Sequence, residues 1–207
     1  MTSQGHGFVM ENRVRVALGL EPRVNGTDIH DIDEISNETT SIKTTGSDLV
    51  CCGDPVRLWN YREDPRNHEM IVFKYVQEDD QTKRVTDTIK LKIDQSFLDL
   101  LFGRATIDQI HELVNFIKNI PRGRRQTPNE KERIKTIKKS IPTGIIRLNP
   151  KIDSRQQRRL QCSFNMKDLK DFESIKGTAW RNLTIDPVIN SPRRTRNPRL
   201  ESQSVPV

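Results

Sequence analysis

Apolar side chains recur along residues 8–20 as Phe8, Val9, Val14, Val16, Leu18 and Leu20, with Gly19 near the end and Pro22 beyond. That pattern predicts a helix. Residues 27–35 and 39–45 are short, β-branched and partly alternating, with Ser36-Asn37 between them, and they predict two strands joined by a tight turn. Residues 48–59 carry Gly53 and Pro55 and read as a short strand and a loop. Residues 70–76 and 85–93 flank the polar stretch 77–84 and give the clearest hairpin in the chain.

The second half changes period. Residues 96–102 and 106–120 read as helices, the latter with Ile107, Ile110, Leu113, Val114 and Ile117 on one face and Asp108 in the first turn. Residues 121–128 form a basic loop rich in helix breakers, and 130–141 a short basic helix that stops at Pro142. Strands are expected over 143–148 and 160–164, with a polar segment between them, and a last helix over 166–175. The run after 177 is basic and poor in large apolar residues, so it reads as a flexible tail over 177–207. This order of elements predicts an α/β fold, a mixed central sheet with flanking helices, in a single domain over 1–176. Residues 1–95 would form its catalytic half and 96–176 its basic half.

Composition narrows the setting. No apolar run is long enough to cross a membrane, and the first residues lack the basic-then-apolar build of a secretory signal. The three cysteines make neither a disulfide framework nor a metal-binding CxxC pair, and a cytoplasmic location follows as the expectation. The net charge of +7 is unevenly spread: residues 1–117 hold 13 basic and 20 acidic side chains, whereas 118–159 hold 14 basic and 3 acidic. An acidic part joined to a concentrated basic part points to a polyanionic partner and, separately, to a cation site.

Glu11 on the first helix, Asp28 in the first strand and Lys43 in the second are the residues from which chemistry can be built. Ser41 and Lys43 share a strand face because side chains alternate. Two carboxylates converging beside a lysine suit a hard cation such as Mg²⁺, which keeps several waters and takes one or two protein carboxylates. The lysine can then act on an attacking water and steady charge growing on a phosphate. Phosphodiester hydrolysis is the reaction such a set serves.

A helix with Glu11, a strand with Asp28 and a strand with Ser41-Ile42-Lys43 resemble the PD-(D/E)xK nuclease superfamily, the fold of many type II restriction endonucleases. The resemblance spans about the first 60 residues, and the segments SIKTTGS, CCGD and PKIDSRQQRRLQCS look like blocks of such enzymes. It implies that Asp28 and Glu11 hold Mg²⁺, that Lys43 acts on the water, and that Ser41 stands where the second acid usually does. Thr27 replaces the usual proline. Asp31 is an alternative metal aspartate in a rival register, with Asp28 preferred because its GTD segment resembles a strand entry.

The basic half supplies residue types that read DNA. Arginine can bond guanine bidentately and glutamine adenine, so Ser154, Arg155, Gln156, Gln157, Arg158 and Arg159 form a candidate base-reading segment. Phosphate contacts are expected from Arg122, Arg124, Arg125, Lys131, Lys135, Lys138 and Lys139. With only 5% aromatic residues there is little to stack single-stranded bases on, so duplex DNA is the expected partner. The combined expectation is Mg²⁺-dependent, sequence-specific cleavage of double-stranded DNA, by a homodimer because two strands must be cut. The alternatives are a catalytically inactive DNA-binding protein of the same fold and a repair nuclease that recognises DNA structure without base specificity.

Overall fold

Residues 70–73 read Met-Ile-Val-Phe without a polar break, the pattern of a strand covered on both faces. In the computed structural model all four are buried, within strand β3 (Asn67–Gln77) at the centre of a sheet. The structure describes residues 5–23, 31–33, 37–153, 156–169 and 185–190. Strand β1 (Glu38–Thr45) pairs parallel with β3, with Ser41 opposite Met70. Strand β4 (Thr82–Lys92) runs antiparallel on the other side, so the expected hairpin is present with a turn at 78–81. A second, three-stranded antiparallel sheet has β6 (Arg158–Asn165) between β2 (Leu49–Gly53) and β5 (Arg147–Ile152).

Alternation along β3 divides the interior. Ile71 and Phe73 face helix α1 (Gly5–Ala17), where Met10, Val14, Ile32, Ile42 and Ile189 complete a small core. Met70 and Val72 face the opposite way, into a larger core with α3 (Gln95–Phe102), α4 (Ile107–Asn119), α5 (Pro128–Ser140) and the second sheet. The molecule is a mixed α/β fold whose main sheet is covered on both faces. Residues on both sides of position 95 share the larger core, which ties the basic segments to the sheet. Among the described residues, no helix is long and apolar enough to cross a membrane.

Several elements depart from the expected boundaries for identifiable reasons. The loop expected before residue 59 holds helix α2 (Pro55–Asn60), started by Asp54, whose side chain accepts from the Val56 N–H, and by Pro55 in the first turn. The strand expected over 143–148 begins only at Arg147. Residues 143–146 lie on the end of α3 instead, where the N–H groups of Ile145 and Ile146 donate to the Leu100 and Leu101 carbonyls at 3.2 and 3.0 Å. Gly144 makes this approach possible, since a Cβ there would stand 2.1 Å from the Leu100 oxygen. Within the expected strand 27–35, residues 31–33 are described, and Ile32 makes a single antiparallel bridge to Thr40. The expected helix 166–175 is represented by a 3-10 turn, Met166–Leu169, and its remainder lies outside the described residues.

The flexible tail expected over 177–207 needs a correction. Strand β7 (Val188–Asn190) pairs antiparallel with β4, and its Ile189 is fully buried in the small core. Apolar content over 177–207 is low, but one isoleucine flanked by valine is enough for a three-residue strand when an open sheet edge receives it.

Candidate active site and basic face

The outer edge of β1 carries the candidate site. The Asp31 carboxylate accepts the Ile42 backbone N–H there, and its Oδ2 lies 3.4 Å from Lys43 Nζ. Lys43 Nζ also donates to the Ile42 carbonyl at 3.1 Å, so the lysine is held against the strand edge. Glu11, buried on α1, faces the same place. Burial pushes its carboxyl above the ordinary range, the Asp31 charge pushes further, and Arg23, Lys43 and Arg15 oppose the rise. A like-charged pair of carboxylates, one of them desolvated, is an arrangement that a divalent cation relieves.

Arg15 builds this corner, although the sequence did not mark it. It is buried, with Nε donating to the Glu21 carbonyl at 2.8 Å and Nη1 to the Asp31 carbonyl at 3.1 Å. Asn12 holds the same segment by two bonds with the Arg23 backbone, at 3.1 and 2.8 Å. The helix that carries Glu11 therefore also positions the chain that carries Asp31. Asp28, the aspartate preferred from the sequence, lies outside the described residues; Asp31, from the rival register, is the one beside Lys43. Among the described residues no cluster of three or more metal-binding side chains occurs. Glu11 and Asp31 are the two carboxylates that would be offered to a cation at this corner, and Mg²⁺ is an ion that takes few protein carboxylates and keeps its waters.

Ser41 is buried on the face of β1 opposite Ile42, and its side chain meets the Tyr61 hydroxyl, whose pKa burial raises. Tyr61 stacks on His68 with ring centroids 4.0 Å apart. His68 Nδ1 is 2.5 Å from Thr39 Oγ1, and its Nε2 is 3.5 Å from Asp64, a carboxylate held well below its usual range by Arg66. Tyr61 and His68 carried no motif in the sequence. Their β1 partners, Ser41 and Thr39, lie 20 and 29 residues away in sequence, and the parallel β1–β3 pairing sets Thr39 beside His68.

The basic residues divide into exposed and engaged groups. Arg122, Arg125, Lys131, Lys138, Lys139 and Arg159 are exposed. On α5, Lys131, Lys135, Lys138 and Lys139 follow helical spacing along the side away from buried Ile134 and Ile137. Lys135 is exposed and lies 3.3 Å from Glu132. Arg124 makes a two-pronged bond with Glu130, at 2.8 and 2.5 Å, which depresses that carboxyl to about 2. A concavity of about 380 Å³ lies between Arg125, Gln126, Lys131, Ile152 and Asp153.

In the segment expected to read bases, Ser154 and Arg155 lie outside the described residues. Gln156 and Gln157 are exposed, and their backbone N–H groups donate to Asp153 Oδ1 at 2.9 and 3.0 Å, closing the β5–β6 tip. Arg158 corrects the expectation of a base contact. It is buried, and its guanidinium bonds backbone carbonyls of its own chain. Nothing in a run of polar and basic residues distinguishes an inward arginine from an outward one, except that β6 alternates and places Arg158 on the face of Leu160 and Cys162. Comparison of the chain with protein-family models, with curated proteins and with solved structures found no match.

Proposed function

We propose that this protein is a Mg²⁺-dependent endonuclease that hydrolyses phosphodiester bonds in double-stranded DNA at a short recognition sequence, in the manner of the PD-(D/E)xK restriction enzymes it resembles. The observation that carries the reading is the pairing of Asp31 with Lys43, 3.4 Å apart at the outer edge of β1, with the buried Glu11 of α1 near enough to feel both charges. Glu11 and Asp31 would hold the ion, with Asp31 taking the role the resemblance first gave to Asp28. The bound ion would polarise the scissile phosphate and lower the pKa of a coordinated water. Lys43, steadied by Asp31 and the Ile42 carbonyl, orients the attacking water and offsets the charge that grows on phosphorus oxygens. The exposed cations of 122–139 would grip the backbone, and exposed Gln156 and Gln157 would approach base edges. Two such sites in a homodimer would cut both strands.

One observation favours a second reading. Ser41 faces Tyr61 and adds no charge to the Glu11–Asp31 pair, so a DNA-binding protein without catalysis retains support. Incubating a sequenced supercoiled plasmid with the protein in Mg²⁺ or in EDTA separates the two. Discrete fragments that need Mg²⁺ and vanish with Lys43→Ala support the nuclease. Retardation of the plasmid without any cut supports the binding protein, and a smear points to a nuclease without base specificity.

A further inference from the structure

Two segments of this chain are separated by about 30 residues and belong to different elements: the basic loop 120–125 after α4, and the tip between β5 and β6, of which Asp153, Gln156 and Gln157 are described. One buried side chain joins them. Arg158 Nε donates to the Ile120 carbonyl at 3.0 Å. Its Nη1 donates to the carbonyls of Asp153 and Gln157 at 2.8 and 2.7 Å, and its Nη2 to those of Pro121 and Arg124 at 2.5 and 2.9 Å. A guanidinium has five N–H donors in a fixed fork, and here five carbonyls accept them. No donor remains for a phosphate or a base.

We propose that Arg158 is a positioning residue, a clamp that fixes the loop 120–125 against Asp153 and Gln157 of the β5–β6 tip, so that exposed Arg122, Arg125, Gln156 and Gln157 form one preshaped surface for duplex DNA. The inference rests on the DNA-binding part of the proposed function and adds how that surface is built. Carbonyls drawn toward the guanidinium turn the N–H groups of the following residues, Arg122 and Arg125, away from it, because a trans peptide holds the two on opposite sides. Gly123, at φ 81°, supplies the left-handed turn that lets the Pro121 and Arg124 carbonyls converge. Glu130 fixes Arg124 from the outer side, and Asp153 closes the tip. Side chains displayed from a rigid platform lose less freedom on binding than those on independent loops.

The charge-conserving variant is the test. Arg158→Lys keeps the positive charge but cannot reach five carbonyls in a plane, whereas Arg158→Gln removes the charge. Amide hydrogen exchange is followed by mass spectrometry on the full chain. In Arg158→Lys, exchange should quicken in 120–125 and at Gln156 and Gln157 together, by about tenfold or more, with α4 and β6 interiors unchanged. Loosening of only one segment, or of neither, overturns the clamp. If Arg158→Lys does not fold, exchange on the wild type in increasing sub-denaturing urea serves instead. Amides of 120–125 and those of Gln156 and Gln157 should open together with one dependence on urea, and separate dependences overturn the proposal.

Binding of wild type and variants to a short duplex, measured by fluorescence anisotropy at several salt concentrations, gives the functional arm. Arg158→Lys should weaken binding as much as Arg158→Gln, by about tenfold. If Arg158→Lys binds like wild type while Arg158→Gln loses about one unit of salt slope, Arg158 touches phosphate directly and the clamp is wrong. If the wild type itself binds no duplex, the DNA-binding reading fails and the preshaped surface loses its partner, while the exchange measurement still decides whether the two segments are clamped.

Discussion

Asp31 has two separable jobs, and two substitutions pull them apart. Its carboxylate accepts the Ile42 N–H at the outer edge of β1, and its charge pairs with Lys43 and pushes up the Glu11 carboxyl. Asp31→Ala removes both. Leaving a part-buried N–H without an acceptor costs about 1–3 kcal/mol. Losing the partly exposed pair with Lys43 adds less than about 1 kcal/mol, and relief of the repulsion on Glu11 offsets part of the total. At about 2–4 °C per kcal/mol for a chain of this size, the melting temperature should fall by roughly 2–10 °C. Asp31→Asn keeps an oxygen for the Ile42 N–H and loses only the charge, so it should melt close to wild type. Circular dichroism melts read both effects, and repeating them in Mg²⁺ reads the cation site. Mg²⁺ at ten times its dissociation constant should stabilise wild type by about 1.4 kcal/mol and neither variant. Cleavage should be lost in both, while Asp28→Asn keeps most of it. If Asp31→Asn still cuts DNA and still gains stability from Mg²⁺, Asp31 is not a metal ligand. If it melts as low as Asp31→Ala, the hydrogen bond to Ile42 is not what Asp31 contributes to the fold.

Other expectations follow from the same geometry. Lys43→Ala should abolish cleavage while leaving duplex affinity within a few-fold, since the lysine sits at the strand edge and not on the basic face; near wild-type cutting would remove it from the site. Because the folded-state pKa of Glu11 is raised, ionising it opposes folding: the penalty is absent below the ordinary carboxylate range, grows as pH rises through the raised value and stays constant above it. Glu11→Gln should therefore melt higher than wild type at pH 7–8, with the gain vanishing in acid; melts across pH that show no such trend would contradict the assigned burial. Lys138→Ala should weaken binding to cognate and scrambled duplexes alike and flatten the salt dependence by about one unit, whereas Gln157→Ala should cost roughly 1–3 kcal/mol on the cognate duplex alone. Ile189→Asp places a charge in the small core and should lower the melting temperature sharply, which a thermal melt would reveal.

What the sequence made legible was local. The β3–β4 hairpin and α4 were readable because their periods run undisturbed and their ends carry ordinary signals, such as the Thr106–Gln109 capping box. The parallel pairing of β1 with β3 was not, because no pattern within either strand specifies a partner reached across 21 intervening residues. Within the site, Glu11 and Lys43 were visible as residue types in a familiar order. That Asp31 pairs with Lys43 was not legible, because Asp28 and Asp31 differ by three residues of register and Asp28 lies outside the described residues. Arg158 was misread because basic composition says nothing about direction, and only its place beside Leu160 and Cys162 on one face of β6 turns it inward. Helix α2 did have its signal, Asp54 followed by Pro55, but six residues offer too little periodicity to carry it.

The contact between α1 and β7 sets an order of events during synthesis. Arg13 on α1 donates to the Asp186 and Val188 carbonyls, both at 2.6 Å, across as many as 175 residues of chain, and Ile189 closes the core on which the Glu11 helix rests. A ribosome releases residue 13 long before residue 188. At about 5–20 residues per second the interval is roughly 10–35 s. Throughout it the helix can rest on β1 and β3 but lacks the Arg13 bonds and the cover of Ile189. A nascent chain on the proposed reading would therefore reach full activity only after β7 had emerged and docked.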